Sequence, residues 1–120
     1  MTVLINIEHF RQVSLQNPTF AKEIIERFLL QSQIYRAQLD AGIKQHDFRA
    51  IKTVMQQLKS QAMVFGAARL VQLIKRIEMA NLDRYEQFQP VVNDAYELFN
   101  NLVEEVKKTK SVLGSETSNK

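Results

Sequence analysis

The sequence predicts an all-α fold, an antiparallel up-down four-helix bundle with a short extra helix at its N-terminal end. Three observations predict it. Apolar residues recur every three or four positions through most of the 120 residues. Only three glycines and two prolines occur, so the turn punctuation of strands is scarce and long helices are favoured. The length suits one domain, and 45% hydrophobic residues are enough to build its core.

The elements follow in order. Ile5 to Val13 reads as the short helix, with Ile7, Phe10 and Val13 on one side. Asn17-Pro18-Thr19 reads as a helix start, Asn17 as cap and Pro18 at the first helical position. From Pro18 to about Ala41, the stripe Phe20, Ile24, Phe28, Gln31 and Tyr35 is widened by Ile25, Leu29 and Leu39, and Gly42 is the expected stop. Asp47 caps the next helix, whose Ile51, Met55, Leu58 and Ala62 are spaced four, three and four up to Phe65, where Gly66 interrupts. Ala67 to Ala80 carries Leu70, Leu73, Ile74 and Ile77. Asn81 or Asp83 then opens a last helix, Arg84 to Thr109, with Phe88, Val92, Ala95, Phe99, Leu102 and Val106 as its seam. Pro90 is tolerable in its first turns only if that helix starts late or bends. Short connections make sequential helices antiparallel. The expected organisation is a bundle over residues 1–110 and a disordered, polar tail over 111–120.

Composition narrows the chemistry. Cysteine is absent, which removes disulfides, zinc–thiolate sites and thiol nucleophiles. A formal charge of +3 is a mild basic excess that suits an acidic protein partner and falls short of a nucleic-acid-binding composition. No stretch approaches the ~18–20 apolar residues that span a bilayer. Met1 to Ile7 has no basic leader segment or cleavage site, so a cytoplasmic protein without membrane contact is expected. His9 and His46 are the only histidines, and neither follows a Glu by three residues, as the inward ligands of a di-iron bundle do. No metal or cofactor is expected. His46, at a helix start, reads as a surface or capping residue, and His9 as exposed. The phenylalanines fall on core stripes and read as packing.

One segment is more specific. It runs Asp47, Ile51, Met55-Gln56-Gln57-Leu58-Lys59-Ser60, Phe65-Gly66-Ala67-Ala68-Arg69-Leu70, Leu73 and Ile77-Glu78. It resembles the histidine-phosphotransfer (HPt) family of bacterial phosphorelays, whose pattern is Ala-His-x-Leu-Lys-Gly, a few small residues, Gly-Ala-x-x-Leu, then an apolar residue followed by Glu. An acidic residue commonly stands nine positions before the histidine, as Asp47 stands before Gln56. The Lys-Ser and Phe-Gly-Ala variant looks closest to the quorum-sensing phosphorelay proteins of marine bacteria. The resemblance implies a phosphorelay protein that docks receiver domains of response regulators, including that of a hybrid sensor kinase, and works as a monomer. It implies that Lys59 sits beside the phosphorylated ring, that Ser60 replaces the usual glycine, that Gly66 lets the helix pair approach closely, and that Gln56 occupies the phosphoacceptor position.

Periodicity supports that placement from the residues alone. With Met55, Leu58 and Ala62 on the core, Lys52, Gln56, Lys59 and Met63 share an adjacent, more exposed stripe. The plainer reading of that stripe is a solvated helix face. A carboxamide cannot replace imidazole as a phosphoryl carrier, because its nitrogen lone pair is delocalised into the carbonyl. The chain as written is therefore expected to be transfer-inactive, as a natural pseudo-HPt or as a His→Gln variant. Lys52, Met63 and Arg69, with Lys59, are the expected receiver contacts. The alternatives are a structural helical-bundle interaction module outside phosphorelays and, lacking ligands, a metal bundle.

Overall fold

A computed structural model describes residues 4–81 and 85–118, and the side chains of Tyr85 and residues 113–118 lie outside that description. The described residues form five helices and no strand: α1 (Ile7–Val13), α2 (Pro18–Lys44), α3 (Phe48–Val64), α4 (Ala68–Glu78) and α5 (Tyr85–Ser118). Helix α2 packs against α3 and α5, and α4 packs against the same two, so four helices close a ring while α1 lies against α3. This is the expected bundle.

Each boundary has a local cause. Asn6, Asn17 and Asp47 cap α1, α2 and α3, their side chains accepting from His9 N, Thr19 and Phe20 N, and Ala50 N. Three helix ends turn through a left-handed residue. Leu15 (φ 58°), His46 (φ 53°) and Gly66 (φ 66°) follow α1, α2 and α3. After Gly66 the chain makes a Schellman closure: Gly66 N–H donates to Met63 O at 3.0 Å and Ala67 N–H to Ala62 O at 3.0 Å. His46 makes the same closure for α2, so it acts at the end of that helix rather than at the start of α3, where it was expected.

The core is the union of the inward stripes. Ile51, Met55, Leu58 and Ala62 of α3 are fully buried, as are Leu70, Ile74 and Ile77 of α4 and Val92, Ala95, Phe99, Leu102 and Val106 of α5. At one end Phe65 stacks on Phe10 at 5.0 Å between ring centroids and meets Phe28 edge-on at 5.0 Å. The N-terminal segment is strapped across this end. Glu105 accepts from Leu4 N–H at 2.9 Å and Ile5 N–H at 3.1 Å, and Asn6 N–H donates to Phe65 O at 2.9 Å.

Several expectations need correction. Helix α2 does not stop at Gly42 but runs through it, because Gly42 is buried where a Cβ would lie 2.9 Å from Ile51 Cγ1. Glycine there serves close helix approach, and His46 supplies the stop. The buried stripe of α2 is Ala21, Ile25, Phe28, Ser32, Leu39 and Gly42, one residue round from the expected stripe, and Phe20 is 39% exposed. Helix α1 starts at Ile7, since Leu4 and Ile5 belong to the strap. Helix α5 continues past Thr109 to Ser118. It also runs through Pro90 in its second turn, where the missing N–H leaves the Glu86 carbonyl without its helical donor. Asp83 and Arg84, named for the start of α5, and Asn119 and Lys120 of the tail lie outside the described residues.

Candidate functional site

Helix α3 is fixed at both ends, by the Asp47 cap and by the Gly66 turn, and along one face by its fully buried residues. The opposite stripe is thereby set outward. Gln56, Gln57 and Ser60 are exposed, and Lys52 and Lys59 are half-buried at its edge. Among the described residues the Gln56 side-chain amide makes no hydrogen bond, while the Ser60 hydroxyl donates to Gln57 O at 3.2 Å. Met63 is 52% exposed, on the same stripe two turns on.

The two lysines of the stripe are tied to α4. Lys59 Nζ lies 2.7 Å from Glu78 Oε1, both side chains less than a third exposed. Lys52 Nζ donates to the Ala80 carbonyl at 2.9 Å, just beyond the end of α4. The sequence motif contains Glu78 but does not reveal its partner, because the pairing depends on the register between α3 and α4. Arg69 is exposed in the first turn of α4, beside the Gly66 turn rather than on the Gln56 stripe. The structure therefore brings Lys52, Gln56, Lys59, Ser60 and Met63 onto one face and sets Arg69 at its end.

Gly66 is the pivot of that end. A Cβ there would lie 2.7 Å from Asn6 Cβ and 3.3 Å from His9 Cβ, so the N-terminal segment approaches as closely as only glycine permits. His9 is exposed as expected, but it is not idle. A carbonyl can only accept, so His9 Nε2 carries the hydrogen and donates to Met63 O at 2.9 Å, beside the Gly66 N–H that donates to the same oxygen.

Sequence reasoning missed an exposed apolar stripe on the outer side of α2. Leu30 is 66% and Ile34 55% exposed. With Ala37 and Ala41 they are spaced four, three and four on the side opposite the buried stripe, a second periodicity that was there to be read. The Gln61 amide, which donates to Gln31 Oε1 and to Tyr35 Oη, ties α3 to α2 on the edge of α3 away from Met63. Leu30 and Ile34 thus lie on the outer side of α2, apart from the Gln56 stripe. The candidate site is a polar strip centred on Gln56, with exposed Met63 two turns on.

The strip holds amide and hydroxyl donors, two cations with one compensating carboxylate, and the exposed Met63 side chain. None of its residues is an activated nucleophile. Among the described residues no helix is long and apolar enough to cross a membrane. The sequence profile of the family described as the Hpt domain matches residues 23–109, well over half of the chain. That span covers most of α2, all of α3 and α4, and most of α5, and leaves out the N-terminal strap and α1. No curated protein and no solved structure matches the chain.

Proposed function

Because the chain belongs to the Hpt domain family, whose members serve phosphorelays and engage receiver domains, we propose that it docks response-regulator receivers through the Gln56 face and does not carry phosphoryl groups itself. Gln56 stands where the motif spacing sets the phosphoacceptor, and an amide nitrogen is no nucleophile. Lys52, Lys59 and Met63 form the contact surface with Ser60, and Arg69 lies at its end. Lys59 sits one turn from Gln56 and answers a partner's negative charge, with Glu78 holding its ammonium in place. The protein acts as a monomer in the cytoplasm, as a docking partner, decoy or scaffold within a relay.

The observation that carries this reading is the exposure of Gln56 on an otherwise core-locked helix, between two lysines and with exposed Met63 two turns on. Calorimetric titration with a panel of receiver domains tests it. Binding to at least one receiver, weakened about tenfold by Lys59→Glu through like-charge repulsion, is the expected result. No binding to any receiver, or affinity indifferent to Lys59→Glu, would sink the reading.

A further inference from the structure

We propose that the Gln56 face reads the phosphorylation state of its partner, holding the phosphorylated receiver and shielding its phosphoryl group from water. This rests on the receiver-docking reading above and adds to it which form of the receiver is held. The argument starts from what Gln56 presents. Its side chain is exposed, and among the described residues its amide forms no hydrogen bond, so both N–H donors are free for a partner. A phosphoryl group offers three strong acceptor oxygens and about two negative charges. A donor that cannot attack phosphorus makes a ground-state contact with those oxygens, and no transfer step relieves the complex.

The surroundings carry the matching charge. Lys52 precedes Gln56 by four residues and Lys59 follows by three, so both lysines stand one helical turn from Gln56, with their ammonium groups held at α4. Glu78 compensates one of them at 2.7 Å, and Ala80 O, a neutral acceptor, holds the other. Two cations against one carboxylate leave the strip net positive around a neutral donor. That pattern suits an anion arriving at Gln56, and a resting receiver lacks the phosphoryl oxygens to use it. The exposed Met63 side chain lies two turns on along the same stripe, where a docked partner would exclude water from the contact.

The test compares each receiver of a panel in two forms, resting and with beryllofluoride on its aspartate as a phosphoryl stand-in. The beryllofluoride form is expected to bind about tenfold tighter, the ~1.4 kcal/mol of one charge-assisted hydrogen bond. Gln56→Ala should bring the ratio close to one, and Gln56→Glu should invert it. In a second measurement, the aspartyl phosphate of a bound receiver should hydrolyse several-fold more slowly than that of the free receiver. Equal affinity for the two forms, or a preference that survives Gln56→Ala, overturns the inference and leaves docking standing. Binding of neither form overturns both.

Discussion

At the scale of single residues, Gly66 and Gln56 do opposite work. Gly66 is structural: its positive φ and the 2.7 Å approach of Asn6 Cβ to a would-be Cβ leave no room for another residue. The left-handed conformation alone costs an L-residue about 1–2 kcal/mol, and the contact adds to that. Gly66→Ala should therefore lower stability in urea by more than about 1 kcal/mol, and an unchanged unfolding midpoint would contradict the packing of the strap. Gln56 touches little, so its substitution should leave stability alone and alter only recognition. Tyr96 provides a third case. Burial first, then its hydrogen bond to Asp40 and the charge of that carboxylate, push the phenol up to about 12, against a smaller opposing effect of Arg36. The folded state thus holds the proton more tightly than the unfolded chain, whose phenol titrates near pH ~10. The stability this gives is complete below pH ~10 and is lost as the pH rises to about 12. Tyr96→Phe should flatten the fall of stability across that window, as followed by circular dichroism. Of these residues, Gly66 and Gln56 were legible in the sequence through spacing. The Lys59–Glu78 pair and the Asp40–Tyr96 bond were not, because each joins two helices whose register no local pattern encodes.

At the scale of elements, the order and nature of all five helices were legible, and the errors share a cause. Helix α2 carries apolar residues on two sides, so a stripe through Phe20, Ile24 and Phe28 is as periodic as the buried one through Ala21, Ile25 and Phe28. Only the neighbours decide between them, and they select the side where Ser32 and Gly42 permit close packing. Gly42 misled because glycine marks both helix ends and close approaches. The end of α5 was placed early because residues after Thr109 are polar. Polarity does not break a helix, and Gly114 costs only about 1 kcal/mol against alanine. The aromatic contact joining α1, α2 and the end of α3 can be tested directly. Phe65 is buried against Phe10 and Phe28, so Phe65→Ala should cost about 3–5 kcal/mol. That is a large share of the ~5–15 kcal/mol of a typical domain. A loss below 1 kcal/mol would mean that the strap and α1 are not held by this cluster.

At the scale of the molecule, the closed ring of α2, α3, α4 and α5 separates stability from recognition. Core residues face inward on every helix, and the Gln56 strip faces out from one of them with its lysines braced by α4. The family match begins within α2 and ends in α5, outside the strap and α1, which close one end of the ring. We propose that residues 1–110 form the folding unit. Removal of 111–120 should leave both the thermal midpoint and receiver binding within error of the full chain, and loss of either would assign that segment a role in the domain. The face itself was legible because a four-three spacing settles which residues share a side. Its chemistry was legible only through the resemblance, since a strip of lysine and glutamine is also what an ordinary solvated helix shows.

The central claim is that Gln56 stands at a phosphoacceptor position on an intact docking face. Phosphotransfer from a panel of radiolabelled, phosphorylated receivers to this chain and to its Gln56→His variant, side by side, tests it most directly. The account predicts acid-labile label on the histidine variant alone. Label on the unaltered chain would contradict its inactivity, and label on neither, with no receiver bound, would contradict the docking face itself.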